Sequence, residues 1–321
     1  MNDKMKAARL SIASNTVLTL GKLGVGISMN SVSVISEAIH SGLDLMAALI
    51  AFFSIREASK PADDRHHYGH GKFENVAGIT EAILIFVAAV MIIFNAYPKI
   101  FGGVEIHSLG LGAIVMGISA LVNFFISREL MRVARKTESP ALAADAWHLR
   151  TDVYTSVGVF AGIVAIQLTG MTILDPLIAI AVAFLIIKAA VDLIRDSMCS
   201  ILDVRLPESE ELTIKEVLTT YSSQFVEFHK LRTRKAGSQR YVDLHLVVPR
   251  EWAINRVHAL CDQIEEDICN RFAGALVLIH TEPCGQHCED CSQAEEYNQR
   301  GRKCEPVHED CTQCRQWPEK K

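Results

Sequence analysis

The sequence predicts a membrane protein with an all-α six-helix transmembrane domain, followed by a small cytoplasmic α+β domain of α-β-β-α-β order. Three observations lead there: composition, six long apolar runs confined to the first two thirds of the chain, and a change of hydrophobic period in the last third. The 321 residues are 50% hydrophobic and 21% charged, with a mean hydropathy of +0.21, which is more apolar than a soluble domain of this size needs. Residues 10–200 hold nearly all the long apolar runs, while 203–321 read as polar and mixed. The formal net charge of −5 and the lack of a basic stripe with interleaved aromatics set nucleic-acid binding aside.

A helix needs about 20 mostly apolar residues to cross the hydrocarbon layer. Six stretches qualify, near 7–29, 32–57, 73–100, 108–136, 141–168 and 174–198. The first begins with Lys4, Lys6 and Arg9 and shows no small-residue cleavage site, so it reads as a retained span rather than a signal peptide. Positive residues set the orientation. Lys4, Lys6 and Arg9, then Arg56, Lys60, Arg65 and Lys72, then Arg128, Arg132, Arg135 and Lys136 all fall on one side, against Lys99 on the other. Both termini are therefore expected in the cytoplasm.

Ionisable side chains at membrane depth cost about 2.5–3.5 kcal/mol each on insertion scales, so a cluster of them marks a functional site. Span two carries His40 and Asp44; span five carries His148 and Asp152. A spacing of four puts each pair on one helix face, one turn apart. Two such faces brought together supply two imidazoles and two carboxylates, a tetrahedral set that suits zinc. Glu37 and Asp145 precede the two histidines by about a turn and serve either to orient a ligand or to pack helices. Glu81 and Arg150 also lie in apolar spans, and Lys188 is near enough to an end to snorkel.

These paired motifs, together with the segment from Pro61 through Asp63, His66, His67, Gly69, His70, Gly71 and Lys72 to Glu74, resemble the cation diffusion facilitator family of metal–proton antiporters, in its zinc-preferring pattern. The likeness runs over about residues 7–283. It implies that His40, Asp44, His148 and Asp152 are transport ligands, and that Asp63, His66 and His70 form a second metal site in the loop between spans two and three. It further implies that Lys72 pairs with an aspartate after span six, here Asp203. Glu81 departs from the family pattern.

After span six, helical character over 208–221 is followed by extended runs near 225–235 and 239–248, a helix near 253–272 and a strand near 275–281. The alternation from Tyr241 to Val248 is that of a strand with one buried face. The family resemblance implies a metallochaperone-like fold here, with metal held by His229, His245, His258, His280 and Glu282 at a dimer interface. Glu282 stands where the family usually has Asp, which puts a binuclear geometry in question. The expected domains are 1–202 for transport, 203–283 for cytoplasmic metal binding and dimerisation, and 284–321 as a tail. Six of the nine cysteines fall in that tail, with Cys288 and Cys291, then Cys311 and Cys314, spaced like a thiolate zinc knuckle. Cys284, His287, Cys304 and His308 are further candidate ligands, and a reducing cytoplasm argues against disulfides.

The expectation is a homodimeric exporter in the lipid bilayer of a bacterial inner membrane, moving Zn2+ outward against protons and using zinc also as a regulatory ion. Exporters of Fe2+, Co2+, Ni2+, Cd2+ or Mn2+ with the same architecture, and a membrane metal sensor that does not transport, are the alternatives. An enzyme is not expected, because the paired helical motifs leave no general base or substrate cleft.

Overall fold

The computed structural model describes residues 3–28, 32–102, 111–169, 171 and 173–284. Its first compact unit comprises Met1–Leu202 with the short segment Ala236–Ser238; its second comprises Asp203–Lys235 and Gln239–Lys321.

The first unit is built from α1 (Asp3–Ser28), α2 (Val32–Ala58), α3 (Lys72–Gly102), α4 (Leu111–Thr137), α5 (Pro140–Thr169) and α6 (Leu174–Ile201). All six expected spans are present as helices. Among the described residues Asp3–Ser28, Ala38–Ala58, Lys72–Pro98 and Pro176–Ile201 are long and apolar enough to cross a membrane. α4 ends in a basic turn with Arg135 and Lys136, and α5 carries the ionisable residues of the expected site.

Small residues let these helices approach closely. Ala47, Ala48, Ala51, Ala82, Ala89, Ala144 and Ala146 are all buried. At Gly78 on α3 a Cβ would lie 2.9 Å from Ser197 Oγ on α6 and 3.5 Å from the Pro140 carbonyl at the start of α5, so three helices meet there over a bare backbone.

Near that point a buried polar knot ties three helices together. Lys4 Nζ on α1 lies 2.7 Å from Glu74 Oε1 on α3, and the Ser139 hydroxyl donates to the other Glu74 oxygen. Ser139 also accepts from the Leu142 N–H at 3.4 Å, which caps α5. A buried ammonium and carboxylate persist only when paired in this way.

The second unit contains α7 (Glu208–Thr220), β1 (Glu227–Ala236), β2 (Gln239–Val248), α8 (Ile254–Arg271) and β3 (Leu276–Pro283), in the expected α-β-β-α-β order. The sheet runs β1-β2-β3. β2 and β3 are parallel, with His245 opposite His280 and Val247 opposite Glu282, and α8 supplies the crossover that a parallel pair requires. Val242, Leu244, Leu246 and Val248 point into a core closed by Ile214, Leu218, Leu260 and Ile264. The period of two then directs residues 243, 245 and 247 to the opposite face.

β1 breaks that alternation. Phe228 and Leu231, three residues apart, both pack on the core, and Lys230 between them has φ +51°. One extra residue is thus accommodated as a bulge, the device that re-aims a side chain within a strand. It leaves His229 on the face shared by His245.

Candidate metal sites

α2 and α5 bring the two helix faces together. His148 Nε2 lies 3.1 Å from Asp44 Oδ1, His40 Nε2 lies 3.8 Å from Asp152 Oδ1 and 4.0 Å from Asp44 Oδ1. Ligand atoms of His40, Asp44 and Asp152 all fall within 4.8 Å of one another, close enough to share one ion, and His148 joins them through Asp44. Asp44 is buried, whereas the His40 side chain is 54% exposed, so the cluster opens on the His40 side.

Two polar residues that support this cluster were not singled out in the sequence. Asn123 on α4 donates its amide N–H to Asp152 Oδ2 at 3.3 Å, leaving Oδ1 toward His40. Buried Lys22 on α1 donates to the Ser41 hydroxyl at 2.7 Å, one residue from His40. Each is a polar side chain inside an apolar run, the same signal that marks the candidate ligands. Glu81 and Asp145 are fully buried, and the Arg150 guanidinium lies 5.3 Å from the centre of the Trp147 ring. The side chain of Glu37 lies outside the described residues.

The loop between α2 and α3 folds its three expected ligands into one group. Asp63 Oδ1 is 3.3 Å from His66 Nδ1 and Oδ2 is 3.3 Å from His70 Nε2. The Asp63 carboxylate also accepts from the backbone N–H groups of His66 at 2.7 Å and Arg65 at 2.9 Å, which hold its pKa below the usual aspartate value. His70 is buried and its Nδ1 faces the Pro61 carbonyl at 3.2 Å. That contact needs a proton on Nδ1, which leaves Nε2, on the Asp63 side, as the nitrogen able to take either a proton or a metal ion. Gly69, with φ +76°, supplies the left-handed turn that folds His70 back. Lys72 donates to the Ile201 carbonyl at 3.2 Å.

In the second unit Glu282 gathers the histidines. Its Oε1 lies 2.7 Å from His245 Nδ1 and 3.8 Å from His280 Nε2; its Oε2 lies 3.3 Å from His229 Nε2. Burial lowers the His245 pKa, and the Glu282 carboxylate opposes that shift. His229, His245 and Glu282 have ligand atoms mutually within 4.8 Å. His258 stands apart on α8, 3.4 Å from Asp262. Cys284 is buried beside Val247; Cys288, Cys291, Cys304, Cys311, Cys314, His287 and His308 lie outside the described residues.

Comparison with known proteins matches residues 8–202 to the cation efflux transmembrane domain and residues 206–284 to the cytoplasmic domain of cation efflux proteins. An uncharacterised transporter of Synechocystis is 37% identical, over 86% of this chain and 89% of its own. The cation-efflux pump FieF of Yersinia pestis (strain Pestoides F) is 30% identical over 87% and 93% of the two chains, and that of Serratia proteamaculans is 29% identical over 87% and 92%. Among solved structures, a chain of CzrB, described as a putative zinc transporter, covers 25% of this chain and 99% of its own at 34% identity, with a TM-score of 0.24.

Proposed function

The chain belongs to the cation efflux family of transporters, the cation diffusion facilitators, and on that premise we propose that it exports a divalent metal cation, zinc first, from the cytoplasm in exchange for protons. The convergence of His40, Asp44, His148 and Asp152 inside the helical bundle carries this reading. Two imidazoles and two carboxylates form a four-coordinate nitrogen and oxygen set that suits zinc. The same set also accepts Fe2+, Co2+, Ni2+, Cd2+ or Mn2+ with graded affinity.

Antiport follows from the atoms that hold the ion. The 3.1 Å contact between His148 Nε2 and Asp44 Oδ1 is a hydrogen bond only if Nε2 carries a proton, because an ionised carboxylate can only accept. Metal binding needs that same nitrogen lone pair and that same oxygen. Ion and proton thus compete for one place, and a site that exchanges them as it turns from one side of the membrane to the other couples their flows.

The remaining clusters support regulation. Asp63, His66 and His70 would hold a loop ion on the cytoplasmic face. His229, His245 and Glu282, with His280 alongside, would hold one on the cytoplasmic domain, where two copies of the chain meet as a homodimer. The positive residues beside spans one, two and four support a cytoplasmic position for both termini of an inner-membrane protein. In the tail, Cys288, Cys291, Cys311 and Cys314 would bind a further zinc.

The test is metal flux into proteoliposomes under an imposed pH gradient, with zinc, cadmium, cobalt, iron and manganese compared. Zinc flux that raises proton counter-flow and disappears in Asp44→Ala and Asp152→Ala supports the reading. Equal flux in those variants refutes the site, and flux indifferent to the gradient refutes the antiport.

A further inference from the structure

Two side chains of α1 converge on one residue of α2. The Thr19 hydroxyl donates to the Ser41 carbonyl at 2.9 Å, and Lys22 Nζ donates to the Ser41 hydroxyl at 2.7 Å. A spacing of three puts Thr19 and Lys22 on one face of α1, about a turn apart. Ser41 and Lys22 are both buried, so α2 is gripped there through its backbone and through a side chain at once. A lysine inside an apolar span is costly, and the packing of two apolar helices does not call for one. Hydrogen bonds are directional, so this pair fixes the rotation and the register of α2 against α1.

The grip falls beside the candidate ligand that is most open. Asp44 is held by His148 at 3.1 Å, and Asp152 by Asn123 at 3.3 Å. His40, the residue next to Ser41, has a half-exposed side chain, and its Nε2 stands 3.8 Å from Asp152 Oδ1 and 4.0 Å from Asp44 Oδ1. A ring so exposed takes its aim from the backbone that carries it, and that backbone is anchored one residue away.

We propose that Thr19 and Lys22, acting through Ser41, are positioning residues that hold His40 in the ion site and thereby set which ion the site prefers. This rests on the reading of the α2–α5 cluster as the transport site. With His40 in place, two imidazoles and two carboxylates offer the four-coordinate set that zinc favours. With the contact removed, α2 turns or slides on α1, His40 withdraws and water enters from its exposed side. The oxygen-rich surroundings that result suit manganese, which takes six oxygen ligands. A supporting shell of this kind acts on the geometry of the ligands without being one of them.

Cobalt absorption by the purified full-length protein tests this, because four-coordinate cobalt absorbs visible light far more strongly than six-coordinate cobalt. The transport-site signal is the part of the spectrum that Asp152→Ala removes, and zinc and manganese are titrated against it in competition. Thr19→Val and Lys22→Met should each lower that signal toward the six-coordinate pattern and reduce the preference for zinc over manganese by about tenfold, the lower end of the range for groups behind metal ligands. Ser41→Ala combined with Lys22→Met should lose no more than Lys22→Met alone, since the two share one contact. An unaltered spectrum and an unaltered zinc-to-manganese ratio in Thr19→Val, which nearly keeps the shape of the side chain, assign the contact to helix packing and overturn the proposal, even where Lys22→Met fails to fold. A wild-type protein without any cobalt signal sensitive to Asp152→Ala overturns the site reading and the proposal together, whereas a signal present and indifferent to the α1 variants overturns the positioning role alone.

Discussion

His148 Nε2 on α5 lies 3.1 Å from Asp44 Oδ1 on α2, across the interface between the two helices that carry the paired motifs. This contact joins one residue from each motif, and on the proposed reading it is the contact that an incoming ion would displace.

Replacement of Asp44 by Asn keeps the shape of the contact but removes the charge that balances a divalent ion. Asp44→Asn should fold as the wild type does and lose metal-driven flux by more than about tenfold, the scale of a shift of about 1.4 kcal/mol or more in binding. Flux assays and thermal unfolding on the same preparations check both halves.

Asn123 holds Asp152 Oδ2 at 3.3 Å and so stands behind the proposed ion site rather than in it. Outer groups of this kind cost about 10–100-fold in metal affinity when removed, so Asn123→Ala should weaken zinc binding by that factor. Isothermal titration reads the affinity, and unaltered binding would assign the 3.3 Å contact to helix packing alone.

Asp63 is the shared acceptor of the loop cluster. Its pKa is held down by the N–H groups of His66 and Arg65, so the stability it contributes is present above the ordinary aspartate value of about 3.9 and disappears as pH falls through the lower folded value. Asp63→Ala should remove one weakly bound metal per protomer, as counted by equilibrium dialysis, while flux through the bundle persists.

His245 behaves oppositely to a histidine that gains stability from its charge. Burial lowers its folded value, so the stability tied to its neutral form is present above about 6.5 and is lost as pH falls through the lower folded value. Thermal unfolding of the full chain without metal should decline over that window, and less so in His245→Gln.

Leu246 is fully buried in the core of the second unit. Leu246→Ala should cost about 2–5 kcal/mol, seen as early unfolding of that unit with flux in intact membranes retained at low temperature.

The helices were legible because the hydrocarbon layer demands about 20 apolar residues in a row, and all six appear where those runs lie. The two His/Asp pairs were legible as shared helix faces because a spacing of four is a fixed geometric statement about a helix. What could not be read was which helix faces which: Asn123 meets Asp152 and Lys22 meets Ser41 through packing between distant segments, and a single polar residue within an apolar run does not name its neighbour. His258 shows the converse, since the family likeness made it a candidate ligand, whereas within one chain it stands 3.4 Å from Asp262 and apart from the Glu282 group. His229 sits where it does because of a bulge that has no marker in the sequence, the left-handed residue being Lys230 rather than glycine.

That left-handed lysine makes the orientation of His229 a matter of counting rather than of chemistry. Delete one residue there and the strand would run on in regular alternation, carrying the imidazole to the oily side of the sheet or forcing Leu231 into water. Point substitutions at Lys230 should therefore be tolerated far better than a one-residue deletion, and glycine in its place would relieve backbone strain.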